Sequence, residues 1–351
     1  MSTAAEALVL LRHLIQTPSF SREEGGTADI LMQFMAQQGV QAHRLGHNVW
    51  AANQHWKNGL PVLLLNSHHD TVRPHAAWTR DPFGAELEGD TLYGLGSNDA
   101  GGALVALLMT FLHYHTRQDL PWNLLFAASA EEEISGRNGI ELLLPVLGPI
   151  DLGIVGEPTQ MQMAIAEKGL LVLDCTARGK AGHAARNEGI NALYQAIDDI
   201  NWFRTYQFDR QSDFLGPVKM TVTQIQAGSQ HNVVPDTCTF VVDVRTNEYY
   251  SNQAIYEEIC AHVTCEVKAR SFRLNSSRLP EDHPLVQRGI SLGRTVYGSP
   301  TTSDQALMPF PTLKMGPGDS ARSHTADEYL LVTELEAGIG LYIELLDGLR
   351  L

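Results

Sequence analysis

The chain has 351 residues, 44% of them hydrophobic, so it is long enough for two domains with a sizeable core in each. Its 40 acidic residues outnumber 25 basic residues, which gives a formal net charge of -15, and no cluster of Lys and Arg is present, so nucleic acid is excluded as a partner. No apolar stretch approaches the roughly 20 residues that span a bilayer, and the first residues do not resemble a secretory signal, so we expect a cytoplasmic, globular protein with no membrane partner. The four cysteines form no CxxC pair, so we expect reduced thiols in the core.

The first part of the chain, up to about residue 160, alternates helical periodicity with short apolar runs. This alternation is typical of βα units around a largely parallel sheet. Strands are predicted in PVLLLNSHHD, NLLFAASA and DLGIVG, and a buried helix is predicted in GGALVALLMTFLHYHTR.

The pattern changes between residues 164 and 279. There the predicted order is strand, helix, strand, strand, helix, strand, which corresponds to a ferredoxin-like (βαββαβ) unit. We therefore predict an α/β fold in which residues 1–163 and 280–351 form a mostly parallel-sheet catalytic domain. Residues 164–279 form a domain inserted into it.

Acidic and histidine residues follow the predicted strands of the first domain. They are His68, Asp70, Glu132, Glu133 and Glu157, with Asp99 in the turn GLGSNDAGG before the buried helix. Because ligands bind at the carboxyl ends of the strands in an open parallel sheet, we expect these side chains to converge.

The run Glu131–Glu133 has two interpretations. An acidic run is commonly the solvated start of a helix. Carboxylates that converge with His68, and with His324 of GDSARSHTADEY, would instead repel one another unless a cation balanced them. Mixed imidazole and carboxylate ligands suit Zn²⁺, Mn²⁺ or Co²⁺, and a bridging carboxylate would let this set hold two metals. Such a site predicts a hydrolase.

The motifs SHHDTV, GLGSNDAGG, EEEISGRNG, GEPT and SHTADEY, in this order, resemble those of the dinuclear-zinc acylamino-acid deacylases and exopeptidases. That family includes acetylornithine deacetylase, succinyl-diaminopimelate desuccinylase and carboxypeptidase G. The likeness spans almost the whole chain, and the acetylornithine deacetylase-like branch looks most similar. The resemblance implies a zinc-dependent amide hydrolase that is a homodimer through an inserted dimerisation or lid domain.

The resemblance also implies a ligand set for two divalent ions, Zn(II) first, with Co(II) or Mn(II) as alternatives. His68 and Glu157 would hold one ion. Glu133 and His324 would hold the other, and Asp99 would bridge both.

The catalytic residues that the resemblance implies are Glu132, Asp70 and His183. Glu132 matches the general base, and Asp70 matches the carboxylate that orients His68 through its other ring nitrogen. His183, in GKAGHAARNEGINAL, resembles a histidine that donates to the oxyanion from the partner subunit, with an ordinary loop histidine as the alternative. For Glu131 we expect a solvated or supporting carboxylate.

Substrate contacts are implied for a further set of residues. Asn232 and Arg245 match positions that grip the substrate's carboxylate, although an ion-paired Arg245 is the alternative. Ser303 and Asp304 lie where the family has a loop close to the substrate.

The predicted function is removal of an N-acyl group, acetyl or succinyl, from an amino acid. The small-molecule substrate favoured by the resemblance is N-acyl-L-ornithine or N-acetylcitrulline, in arginine biosynthesis. Alternatives on the same metal centre are a succinyl-diaminopimelate desuccinylase, whose substrate carries an additional carboxylate that requires another Arg or Lys, and a di- or tripeptidase. A silent metal-stabilised scaffold is the alternative outside the enzymes, and the presence of Glu132 argues against it.

Overall fold

A computed structural model describes residues 3–351. The chain forms two compact units, the first comprising residues up to 165, 279–297 and 303–351, and the second comprising 166–278 and 298–302. The short segment 298–302, which we predicted for the catalytic domain, belongs to the second unit. The reason is a pair of hydrogen bonds, because Lys168 N donates to Ser299 O at 3.1 Å and Thr302 Oγ1 donates to Lys168 O at 3.1 Å.

The helices of residues 3–351 are α1 (Thr3–Ile15), α2 (Gly25–Gln37), α3 (Gly102–His115), α4 (Ile140–Leu147), α5 (Ala192–Thr205), α6 (Asn252–His262), α7 (Pro284–Ser291) and α8 (Val332–Leu346). The strands are β1 (His43–Leu45), β2 (Asn48–Ala52), β3 (Val62–His68), β4 (Glu86–Glu88), β5 (Thr91–Tyr93), β6 (Asn123–Ser129), β7 (Leu152–Val155), β8 (Met163–Glu167), β9 (Gly169–Arg178), β10 (Gly182–His183), β11 (Lys219–Ala227), β12 (Val233–Val234), β13 (Thr237–Thr246), β14 (Glu266–Ala269), β15 (Ser277–Arg278), β16 (Val296–Ser299), β17 (Thr312–Lys314) and β18 (Tyr329–Leu331). None of the helices in this part of the chain has the length and apolar content that a membrane crossing requires.

A mixed, mostly parallel sheet organises the first unit. Its strands lie in the order β1-β2-β6-β3-β7-β17-β8. Neighbours among β6, β3, β7 and β17 run parallel, whereas the outer pairs are antiparallel. Every residue of β3, β6 and β7 is buried, as expected of strands that are covered on both faces. The predicted fold class is confirmed.

Helices cover both faces of this sheet. On one face α3 packs against β3 and β6, where the rings of Phe111 and Phe126 lie 5.9 Å apart. On the other face α4 contributes Ile140 and Leu143 to a core with Leu125 of β6. The helix α3 is buried on nearly all sides, as its uniformly apolar sequence predicted.

The second unit contains a four-stranded antiparallel sheet. Its order, β11-β13-β9-β14, is that of a ferredoxin-like unit, and α5 and α6 share a core with the sheet. The helix α5 begins at Ala192, where the Asn191 side chain accepts from Leu193 N and caps it. The expectation of core thiols holds for Cys175 and Cys238 but is wrong for Cys260, which is exposed on α6.

Candidate metal centre

The carboxyl ends of four neighbouring parallel strands carry the candidate ligands. His68 is the last residue of β3, in register with Ser129 at the end of β6. Glu132 and Glu133 follow β6, Glu157 follows β7, and the loop after β17 leads to His324. Since these strands are adjacent, the fold brings residues from four distant parts of the sequence to one edge.

The two imidazoles face a common carboxylate. His68 Nε2 lies 3.3 Å from Asp99 Oδ1, and His324 Nε2 lies 3.7 Å from Asp99 Oδ2. His324 Nε2 is also 2.9 Å from Glu133 Oε2, and Glu157 Oε1 is 3.9 Å from His68 Nε2. One oxygen of Asp99 is thus directed to each imidazole, which is the arrangement that a bridging ligand requires.

The donor set fits divalent metal. Two groups of side chains each bring one potential ligand atom per residue within 4.8 Å of the others, namely His68, Asp99 and Glu133, and His68, Glu132 and Glu157. Carboxylates this close and this buried repel one another unless positive charge lies between them. Imidazole with carboxylate is the ligand mixture that Zn²⁺, Mn²⁺ and Co²⁺ share.

The ionisation of these groups reflects their mutual interactions. Burial lowers the pKa of His68, but the carboxylates of Asp70 and Asp99 outweigh it and hold this pKa well above its usual value. The hydrogen bond to Glu133 raises the pKa of His324 to about 9. Burial raises the pKa of Glu132 well above its usual value. Protons on the two imidazoles therefore compete with a metal for the same nitrogens.

Asp70 contacts His68 differently from our expectation. His68 Nδ1 donates to the main-chain oxygen of Asp70 at 2.9 Å, whereas the carboxylate Oδ1 is 3.4 Å away. The carboxylate accepts from Ser21 Oγ at 2.7 Å and from Glu132 N and Glu133 N at 3.0 and 3.2 Å. Asp70 therefore holds the glutamate loop as well as orienting the imidazole.

Glu131 points away from the metal centre. Its side chain is 4% exposed, so the solvated alternative is wrong. Its Oε1 accepts from Asn138 Nδ2 at 2.8 Å, and its N donates to Oε1 of the fully buried Glu24 at 3.0 Å. Glu131 is thus a supporting residue. Of the three glutamates, Glu132 and Glu133 face the candidate metal ligands.

The sequence analysis did not identify two buried glutamates beside the site. Glu24 accepts from Arg22 N and Glu131 N, and Glu328 accepts from main-chain N–H groups of the loop that carries Asp99. Burial, followed by the charge of Asp99, raises the pKa of Glu328 to about 8. Glu328 lies within SHTADEY, which is the one signal that pointed to it, whereas Glu24 lies in none of the motifs.

Ser303 and Asp304 are buried rather than open to a substrate. Asp304 Oδ2 accepts from Ser129 Oγ at 2.5 Å and from Asn66 Nδ2 at 3.1 Å, and burial raises its pKa to about 6. Ser303 Oγ accepts from Gln305 N and caps a short 3₁₀ turn. These contacts differ from the predicted ones, because Asp304 connects Asn66 of β3 with Ser129 of β6.

The remaining predicted residues lie in the second unit. His183 is exposed and pairs with Val233 between β10 and β12, and the exposed Asn232 accepts from Ala184 N through its main-chain oxygen. Arg245 is paired with Asp243, at 2.8 and 3.1 Å, as in the ion-paired alternative.

Together, the sheet and the ligand set define an α/β protein that holds divalent metal at the carboxyl edge of its strands. A model of peptidase family M20/M25/M40 matches residues 64–348. The chain belongs to this family and is a metal-dependent hydrolase with two divalent metal ions as cofactors.

Curated relatives and solved structures are similar to this chain over nearly its whole length. Succinyl-diaminopimelate desuccinylase 2 of Ruegeria sp. (strain TM1040) is 23% identical over 95% of this chain and 92% of the relative. Succinyl-diaminopimelate desuccinylase of Stenotrophomonas maltophilia (strain K279a) is 27% identical over 97% and 98%. The fold is shared with the YXEP protein of Bacillus subtilis, titled a dinuclear metal binding peptidase, at a TM-score of 0.75, 17% identity and 98% coverage of both chains. Aminopeptidase PepT of Bacillus cereus has a TM-score of 0.78, 16% identity and the same coverage.

Proposed function

We propose that the protein hydrolyses the N-acyl amide bond of an amino acid, and that N-succinyl-diaminopimelate represents its substrate class. The names of the relatives at 23% and 27% identity support this substrate class. They give no support to the acetylornithine-like substrate and arginine biosynthesis that the motifs predicted. N-acetyl-L-ornithine and N-acetyl-L-citrulline therefore become the comparison substrates.

The divergence of two adjacent glutamates carries the proposal. Glu133 Oε2 is 2.9 Å from His324, whereas Glu132 Oε2 is 3.9 Å from His68 Nε2. The loop thus places the Glu133 carboxylate among the proposed metal ligands, whereas the Glu132 carboxylate lies next to them. A carboxylate in that position, with a raised pKa, is suited to move a proton during amide hydrolysis.

In the proposed mechanism, His68, Glu157 and Asp99 would hold one metal, and Glu133, His324 and Asp99 would hold the other. When bound, two such ions would supply Lewis-acid chemistry, activating water and polarising the amide carbonyl. Glu132 accepts a proton from the attacking water and donates it to the leaving amine.

The second unit supplies the proposed substrate contacts. Arg245 and Asn232 bind the carboxylate of the substrate, and His183 donates to the developing oxyanion. The pairing of Arg245 with Asp243 means that a bound carboxylate shares the guanidinium with Asp243. Succinyl substrates carry one more carboxylate than acetyl substrates, so their recognition requires a further cation.

We also propose a homodimer through the second unit. Within the part of the chain that the structure describes, β11 is an edge strand. Exposed apolar side chains accompany it, with Ile225 on β11 at 52% and Tyr194 on the adjoining α5 at 67% exposure. An edge strand with apolar neighbours is a template for pairing with a second copy.

The test is steady-state hydrolysis by the zinc-loaded enzyme of N-succinyl-diaminopimelate, N-acetyl-L-ornithine, N-acetyl-L-citrulline, N-succinyl-L-ornithine and a set of dipeptides. Glu132→Gln should keep both metals and lose roughly 100- to 10,000-fold in kcat, while the exposed Glu336→Gln serves as the matched control. Turnover of dipeptides alone would refute deacylation, and substantial activity of Glu132→Gln would remove Glu132 from the role of base.

A further inference from the structure

Glu328 lies inside the loop that carries Asp99. Its Oε1 accepts from Asn98 N at 2.8 Å and from Asp99 N at 2.9 Å, and its Oε2 accepts from Gly96 N at 3.2 Å. The side chain is 2% exposed, so these N–H groups occupy the place that water would take around an exposed carboxylate. One carboxylate therefore determines the path of the main chain into Asp99.

The main chain of Glu328 holds the beginning of the same loop. Gly94 N donates to Glu328 O at 2.9 Å, and β18, which starts at Tyr329, pairs with β5 through Tyr329 and Tyr93. The loop is thus held along its length by a single residue and the strand that follows it. Because His324 belongs to the same segment, SHTADEY, this segment supplies one proposed ligand and supports another.

Asn98 connects the loop that carries Asp99 with the loop that leads from β17 to His324. Its Oδ1 accepts from Asp319 N at 2.9 Å, and its Nδ2 donates to Asp319 O at 3.0 Å. Asp319 lies in the loop that leads from β17 to His324. A disturbance of the main chain at residue 98 would therefore affect both sides of the metal centre.

We propose that Glu328 is a positioning residue of the candidate metal centre, and that it holds Asp99 in the orientation that a ligand bridging two metals would require. The inference rests on the proposed role of Asp99 as the bridging ligand. Glu328 acts through the main chain of Asp99, whose Oδ1 and Oδ2 must stay directed to His68 and His324 at the same time. Loss of a partner that orients a ligand typically costs about 10- to 100-fold in metal affinity or activity.

The variant Glu328→Gln tests the inference, because it keeps the shape of the side chain and replaces one acceptor oxygen by an NH₂ group that faces N–H donors. The matched control is Asp327→Asn, whose carboxylate accepts from Thr79 N and Arg80 N away from the loop of Asp99. Metal-free protein is titrated with Co²⁺ and followed by calorimetry and by visible absorption, with Asp99→Asn in parallel.

We expect Glu328→Gln to bind the second Co²⁺ about 10- to 100-fold more weakly, with an altered Co²⁺ spectrum and a fall in kcat greater than the change in KM. Asp327→Asn should match the wild type. A Glu328→Gln protein with wild-type affinities and spectrum would overturn the inference, provided that Asp99→Asn weakens binding. If Asp99→Asn also keeps both metals, the proposed ligand set fails instead.

A measurement on the wild type covers the case in which Glu328→Gln does not fold. Hydrogen exchange of the Gly96, Asn98 and Asp99 amides in the metal-free protein should be slow, because each donates to the buried carboxylate. Exchange at the rate of an unstructured loop would show that Glu328 does not hold this segment, and the inference would be wrong.

Discussion

The two histidines of the metal centre each gain a proton-stabilising partner on folding. His68 is flanked by Asp70 and Asp99, and His324 by Glu133. A histidine whose folded pKa is raised stabilises the protein fully below its unfolded pKa and loses that contribution as the pH rises through the folded value. For His324, whose pKa moves from 6.5 to about 9, the contribution to the metal-free protein is present below pH 6.5 and lost through about pH 9.

Metal binding should therefore release protons. Because ligation requires neutral imidazole, we expect loading of the metal-free protein with Zn²⁺ at pH 7 to release at least two protons, one each from His68 and His324. The number follows from calorimetric heats measured in PIPES, HEPES and ACES, buffers of different ionisation enthalpy. His324→Gln should release about one proton fewer. Heats that do not depend on the buffer would show that the imidazoles are already neutral.

At the scale of elements, the turn after β6 is held by buried carboxylates. Glu131 N donates to Glu24, whereas Glu132 N and Glu133 N donate to Asp70. Each N–H of the glutamate run is thus satisfied by a side chain from elsewhere in the first unit. This arrangement lets the side chains of neighbouring glutamates take different directions, which a regular helix start would not provide.

Gly136 is required where this turn closes. A Cβ at this position would lie 2.0 Å from Glu131 Oε2 and 2.5 Å from Glu131 Cβ, so Gly136→Ala must displace Glu131. We expect a loss of about 1–3 kcal/mol in the free energy of unfolding, together with weaker metal binding, measured by urea denaturation and Co²⁺ titration. The control is Gly340→Ala on the exposed face of α8, where no atom lies within 4 Å. It should stabilise by about 0.5–1 kcal/mol, and similar effects of the two variants would contradict the prediction.

At the scale of the whole molecule, the proposed dimer would bury exposed apolar residues of the second unit. A charge of -15 per chain makes association between copies unfavourable at long range, so a stable dimer requires a specific apolar and main-chain interface. The edge strand β11, with Ile225 and the nearby Tyr194, offers both kinds of contact.

The prediction for the assembly concerns Ile225→Lys. A lysine on an edge strand blocks pairing with another strand, so sedimentation velocity should show a dimer for the wild type and a monomer for this variant at the same low micromolar concentration. Leu142→Lys, at an apolar residue on α4 that is 38% exposed, should leave the dimer intact. A monomeric wild type, or a dimeric Ile225→Lys, would reject this interface.

Periodicity and motif order predicted the fold class with its inserted βαββαβ unit, which is confirmed, and the side chains that the structure brings together at the carboxyl edge, whose roles stay a prediction. Short continuous apolar runs mark the strands that are buried on both faces, and chain order restricts where their ends meet. The convergence of His68, Glu133 and His324 was therefore accessible from local sequence. The allocation of residues 298–302 to the second unit was not, because it depends on hydrogen bonds to Lys168.

Tertiary structure alone decided how the ligands are supported. Glu24, Glu328 and Asp304 are buried acids whose partners are distant in sequence, such as Glu131 N, Asp99 N and Ser129 Oγ. Sequence periodicity records which side chains avoid water, but it does not record which N–H group will satisfy a buried carboxylate. That pairing depends on how loops from separate strands pack together, and so only the folded chain distinguishes a supporting glutamate from a solvated one.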